Sequence, residues 1–211
     1  SPFPEEFNRQ VISKISTFNY APTKSSSDNL IKEGVNKNRI FITGNTVIDS
    51  LFWVLNKIEK NSEILNSTET LLNNKLNFNW KNTKFILITG HRRENFGSGF
   101  ENLCLAIREV AKVSKDVQII YPVHLNPNVQ EPVNRLLADV ENVSLIPPVD
   151  YPAFLYLMQN AYFILTDSGG VQEEAPSLGK PVLVMRDTTE RPEAIEAGTV
   201  ELVGTNTTTI V

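Results

Sequence analysis

The sequence predicts an α/β protein: a Rossmann-like parallel sheet of about six strands with helices on both faces. Three observations carry this. From residue 84 onward, short apolar runs alternate strictly with helix-compatible segments through short connections. The run Phe85-Ile86-Leu87-Ile88 is continuously apolar, as a parallel strand buried on both faces must be. Polar and glycine-rich residues gather directly after the strands, at the edge where such sheets bind ligands.

The chain opens with Ser1-Pro2-Phe3-Pro4, two prolines ahead of a helix-like run over 6–15. A short strand (17–20), a helix (22–33) and a strand (39–43) closed by Gly44-Asn45 follow. This stretch holds too few apolar residues for a core of its own. Residues 1–44 therefore read as the remnant of a preceding domain, and 45–211 as the main one. Val47, Leu51, Val54 and Ile58 have helical spacing. Residues 61–82 are polar and rich in Asn and Lys, with a helix expected over 62–76 and no chemistry. The regular region then predicts strands at 84–89, 117–121, 143–146, 162–166, 181–185 and 199–203. Helices are expected at 99–114, 127–137, 152–159, 169–178 and 190–197, and residues 207–211 read as a helix just starting.

Composition excludes several classes. A net charge of −4 gives no support for a nucleic-acid partner or an anionic membrane surface. No run is long and apolar enough to span a bilayer, and no basic-then-apolar leader is expected. The single Cys104, in an apolar helical pattern, rules out an internal disulfide framework and suits a reducing compartment. With two histidines and one cysteine, no structural metal site is expected. Nucleotide fingerprints are absent: Gly97-Ser98-Gly99 has Asn102 where a third glycine belongs, and there is no P-loop, nucleophile elbow or His-Glu-x-x-His pair.

What remains is a set of strand-end loops: Gly90-His91-Arg92-Arg93-Glu94-Asn95, Pro122-Val123-His124-Leu125-Asn126, Asp167-Ser168-Gly169-Gly170, and Arg186-Asp187-Thr188-Thr189-Glu190-Arg191-Pro192. A parallel sheet brings these together. Strand, small-residue turn and helix start at 165–175 suit an anion, because the first helical N–H groups have no internal partner and glycine lets an oxygen approach. Ser168 is placed to donate its hydroxyl there or to cap the helix, the turn being otherwise a plain one. Glu174, nearly two turns on, is placed to accept from a diol such as a ribose. His91 and His124 are candidate ligand contacts or simple loop residues. Arg92, Arg93 and Arg191 are ligand cations or surface ion pairs. Phe154 belongs to the core or stacks on a base.

Those four loops, the second taken as Tyr121 to Pro127, the third as Thr166 to Pro176 and the fourth on to Glu193, closely resemble the non-hydrolysing bacterial UDP-N-acetylglucosamine 2-epimerases. Pro4-Glu5-Glu6 with Asn8-Arg9, and residues 42–49, are similar to that family too. The resemblance implies two Rossmann-like domains of the GT-B type, with UDP held mainly by the C-terminal one. It implies His91, Ser168, Gly169, Gly170, Glu174 and Arg191 around UDP, with Val149 and Phe154 at the uracil. It implies catalytic roles for His91 and Glu5, and a second UDP-GlcNAc bound as activator by Arg92 and His124. UDP-GlcNAc and UDP-ManNAc would interconvert by elimination and re-addition of UDP, with no nicotinamide or other cofactor, in a cytoplasmic homodimer serving cell-envelope polysaccharide. Family members also carry an N-terminal domain with further active-site residues, and closing C-terminal helices, neither of which these residues match. Two alternatives follow: an inactive split-gene fragment that keeps only UDP binding or pairs with a separate N-terminal polypeptide, and half of a GT-B glycosyltransferase.

Overall fold

The structure is a computed structural model that describes residues 4–189 and 191–211, without the side chains of Pro192 and Glu193. It divides into two compact units, one ending at Ser50 and one beginning at Leu51. In the smaller unit, helix α1 (Glu5–Ile15) precedes strand β1 (Asn19–Ala21), helix α2 (Lys24–Lys32) and strand β2 (Ile40–Ile42). The two strands pair in parallel, Tyr20 opposite Phe41. Thr23 caps α2, its side chain accepting from the Ser26 N–H at 3.0 Å. Helix α3 (Thr46–Lys60) carries the division between the units.

The larger unit continues with α4 (Ser62–Lys75), then β3 (Phe85–Thr89), α5 (Ser98–Val113), β4 (Gln118–Pro122), α6 (Pro127–Leu137), β5 (Val143–Ile146) and α7 (Tyr151–Asn160). It closes with β6 (Phe163–Thr166), α8 (Val171–Ser177), β7 (Val182–Val184), α9 (Pro192–Glu196), β8 (Val200–Leu202) and α10 (Thr207–Ile210). Its strands form one parallel sheet in the order β5-β4-β3-β6-β7-β8 among the described residues. The chain works outward from β3 in one direction, returns to β6, and works outward in the other. The switch point therefore falls between β3 and β6, where the crevice of a doubly wound sheet opens.

The continuous apolar strands are explained by two cores. Phe85 and Leu87 of β3 face one cluster, with α3, α4 and α7. Ile86 and Ile88 face the other, with α5 and α6. All four are at most 2 % exposed, and each contributes roughly 1.5–3 kcal/mol by leaving water. Helix starts are written locally. The Asn126 side chain accepts from the Asn128 N–H at 2.9 Å with Pro127 following, and Asp150 accepts from the Ala153 N–H at 3.0 Å with Pro152 just inside.

One local expectation fails. The helix expected over 169–178 spans only Val171–Ser177, its N-cap position is Gly170, and no side chain caps it. Ser168 is therefore a turn residue and not a cap. The two glycines lengthen the connection by the residues that the helix gives up. The helix expected from residue 190 is described from Pro192, Glu190 lying outside the described residues.

Candidate functional site

The site assembles at the carboxyl ends of β3, β4, β5, β6 and β7, and its centre is Asp167. This carboxylate is fully buried. Its Oδ2 accepts the backbone N–H groups of His91 at 2.9 Å and Arg92 at 2.8 Å, binding the loop after β3 to the end of β6 across the switch point. A buried carboxylate is tolerated only with donors of this kind. The Thr89 and Thr166 hydroxyls, on the last residues of the same two strands, lie 2.6 Å apart. Thr166 Oγ1 also accepts the Ser168 N–H at 2.9 Å, so that donor is committed to the turn and is lost to any ligand.

From this clasp, contacts reach the neighbouring loops. The His91 ring stacks on His124, at the end of β4, with centroids 5.2 Å apart and planes inclined by 13°. His124 Nδ1 accepts the Asn126 N–H at 3.1 Å. Arg92 is half-buried and its backbone serves Asp167. Gly170 faces Ser168 Oγ and Glu174 Oε2, which lie 3.9 and 4.0 Å from where a Cβ would stand. Glu174 is 7 % exposed, and its Oε1 accepts the Tyr151 hydroxyl at 2.7 Å. Burial raises the Glu174 carboxyl above its ordinary value, with the Tyr151 bond opposing and the neighbouring Glu173 assisting. Val149 and Phe154, either side of that tyrosine, pack half-buried on the first core cluster.

Arg191 is tied to the same helix as Glu174. Its Nε pairs with Glu173 and its N–H donates to Thr189 Oγ1 at 3.0 Å. The Thr189 hydroxyl donates in turn to Gln172 Oε1 at 2.5 Å. Of the two expectations for Arg191, the structure shows the ion pair. Arg186, after β7, is 5 % exposed and pairs through Nε with Glu94 at 2.6 Å. Glu5 belongs to the smaller unit, in a groove of about 960 Å³ that it lines with Glu6, Arg9, Asn29 and Glu33. Arg9 binds both Glu6 and Glu33 at 2.6 Å. Its hydrogen bonds hold the Glu6 carboxyl down at about 2, so of the two adjacent carboxylates Glu6 is the one engaged in structure.

Three contributors escape a reading of sequence: Asp167 as a clasp, Tyr151 as the partner of Glu174, and Gln172 as the link to Thr189. Asp150-Tyr151-Pro152 carries the signature of a helix start and nothing that points 23 residues ahead. Among the described residues no group of three or more His, Cys, Asp or Glu is placed to hold a metal ion, and no helix is long and apolar enough to cross a membrane.

Fold and site together define a doubly wound α/β protein of the Rossmann-like class, with a polar crevice at its switch point. The chain belongs to the UDP-N-acetylglucosamine 2-epimerase family, whose profile matches residues 1–211. It is 57% identical over 211 residues to the UDP-N-acetylglucosamine 2-epimerase of Yersinia pestis, covering 100% of this chain and 55% of that protein. The Escherichia coli K12 enzyme is 56% identical with the same coverage. The crystal structure of the Neisseria meningitidis UDP-GlcNAc 2-epimerase bound to UDP-GlcNAc superposes with a TM-score of 0.90 at 50% identity, over 99% of this chain and 55% of that one. The Methanocaldococcus jannaschii enzyme in complex with UDP-GlcNAc and UDP gives 0.81 at 36%, over 98% and 56%. Family and fold class both agree with the expectation from sequence. The chain spans about half the length of the curated relatives it matches.

Proposed function

We propose that the larger unit is the UDP-holding half of a UDP-N-acetylglucosamine 2-epimerase. The observation that supports this most directly is the Asp167 clasp, which sets His91 and the Ser168-Gly169-Gly170 turn on either side of the switch point. In this reading His91, Ser168, Gly169, Gly170 and Arg191 take the diphosphate, Glu174 the ribose hydroxyls, and Val149 and Phe154 the uracil. Arg191 exchanges Glu173 for a phosphate oxygen when ligand binds, and Tyr151 yields or shares Glu174 with the sugar. Arg92 and His124 serve a second, activating UDP-GlcNAc.

The chemistry follows from charge. A base removes the C2 proton of the hexosamine, the C1–O bond breaks towards UDP, and 2-acetamidoglucal remains. UDP then adds back while a proton arrives on the opposite face of C2. Holding a leaving diphosphate on backbone and cationic donors stabilises the charge that develops as the bond breaks. Glu5, the carboxylate left available beside the engaged Glu6, is the acid–base candidate from the smaller unit. No cofactor enters any step.

A titration calorimeter with UDP tests the reading. We expect the folded chain of residues 1–211 to bind UDP, and Glu174→Ala to weaken binding about tenfold or more through loss of charged hydrogen bonds. A folded chain that binds no UDP would remove the half-site. Because these residues span 55% of their relatives, a second reading is binding without turnover, and we expect 1–211 alone to form no UDP-ManNAc. Phe18, Tyr20, Phe41 and Ile42 of the smaller unit are 44–67 % exposed, a surface suited to further polypeptide, whether an N-terminal domain or a separate chain. Homodimerisation and a cytoplasmic location complete the proposal, the latter supported by the lone buried Cys104.

A further inference from the structure

Asp167 has two oxygens and only one is accounted for. Oδ2 accepts two backbone N–H groups, while Oδ1 is buried and has no hydrogen-bond partner among the described residues. A fully buried carboxylate oxygen left unpaired is costly. The group nearest to meeting that need is His91, whose Nδ1 stands 3.8 Å from Oδ1. That separation is beyond hydrogen-bond length, and such contacts close in on ligand binding at catalytic sites. The backbone of the same His91 is already bonded to the other oxygen, so ring and carboxylate are held together by a short covalent path.

The neighbouring ring is set the other way. His124 Nδ1 accepts the Asn126 N–H at 3.1 Å, which requires a lone pair on Nδ1 and puts the proton of the neutral ring on Nε2. Two stacked imidazoles 5.2 Å apart thus meet opposite demands at the same ring position, a donor at one and an acceptor at the other.

We propose that Asp167 is the positioning residue of His91, fixing its neutral ring as the Nδ1–H tautomer and leaving Nε2 as the atom that takes up or returns a proton. His124 beside it holds the opposite tautomer. The functional consequence rests on reading His91 as a ligand contact, but the tautomers themselves do not. With Nδ1 committed to a carboxylate, His91 acts on a ligand through one nitrogen of fixed direction.

The protein has only two histidines, so the ring-nitrogen NMR spectrum of the ¹⁵N-labelled chain is simple. At a pH where both rings are neutral, we expect one histidine with a protonated-type shift at Nδ1 and one with it at Nε2. His124→Gln should remove the second set and assign the first to His91. Asp167→Asn should then convert His91. Its side-chain oxygen must still accept the two backbone N–H groups, which turns the amide NH₂ towards His91 and demands a lone pair at Nδ1. The His124 signals should stay unchanged, an outcome that general loosening of the loop would not give. Finding His91 as Nε2–H in the wild-type chain, or as Nδ1–H in the Asn variant, overturns the proposal. The wild-type spectrum, assigned through His124→Gln, decides even if the Asn variant does not fold. If the tautomers hold while UDP fails to bind, the half-site is wrong and this inference stands.

Discussion

Tyr151→Phe is the most informative perturbation of the larger unit. It deletes one hydroxyl, which donates to Glu174 Oε1 at 2.7 Å, and leaves the ring packing in place. Hydrogen bonds to charged groups contribute about 1.5–3 kcal/mol, and the loss leaves a carboxylate that is only 7 % exposed short of a donor. Tyr151 itself is 38 % exposed, so water replaces part of the interaction. The expected penalty is therefore about 1–2 kcal/mol, or a Tm roughly 2–8 °C lower for a unit of this size. Urea unfolding followed by tryptophan fluorescence measures it, with Trp80, 1 % exposed, as a core reporter. The effect also has a sign with pH. Burial raises the Glu174 carboxyl and the Tyr151 bond is the influence holding it down. Without the hydroxyl the carboxyl rises further, so the penalty is largest at pH values where Glu174 is ionised and shrinks as acid protonates it. A penalty below about 0.3 kcal/mol, or one that acid leaves unchanged, would refute the assignment of Tyr151 as the partner of an ionised Glu174.

Three further outcomes are expected. A Glu174 carboxyl raised by burial binds its proton more tightly folded than unfolded, so its ionisation erodes stability as pH rises from its ordinary value through the folded one. Glu174→Gln should therefore be more stable than wild type at neutral pH, with the gain disappearing in acid and UDP affinity falling; equal stability at every pH would contradict this. Gly90→Ala would put a Cβ 3.1 Å from the Tyr121 hydroxyl and 3.4 Å from Met185 Cε, and should cost about 1–3 kcal/mol in the same unfolding assay, an unchanged midpoint counting against the packing described. Cys104 is fully buried, and burial pushes its thiol up to about 12; alkylation should be far slower in the native protein than in denaturant, and equal rates would place it at the surface.

Much of the architecture was legible from residues alone. Continuous apolar runs such as Phe85 to Ile88 announce strands buried on both faces, and the helices between them force parallel pairing. Asn126-Pro127 and Asp150 with Pro152 mark helix starts because a short side chain accepts the backbone N–H two or three residues further on. Helix 127–137 and strand 143–146 came out at their expected bounds. The strand-end placement of His91, His124 and Ser168 was equally visible, since loops between strands and helices of a parallel sheet must lie at one edge or the other.

The Ser168 cap shows where local reasoning stops. Ser, Gly and Gly each permit a helix start, and nothing within four residues says which takes the N-cap position. The pull of Thr166 Oγ1 on the Ser168 N–H goes with a start at Val171.

What the sequence by itself determined, then, is everything set by short-range backbone demands: period, caps, turns, and the edge on which the polar loops fall. Tertiary structure decided the pairings across the crevice. His91 and Arg92 donate to a carboxylate about 75 residues away, His91 stacks on His124, and Tyr151 reaches Glu174. The reason is the order of the strands. The chain leaves β3, builds one half of the sheet, and returns to lay β6 beside it, so His91 and Arg92 are separated from Asp167 by α5, β4, α6, β5, α7 and β6 itself. Their meeting depends on that closure, and on Asp167 being buried where it needs the donors that only the returning geometry supplies.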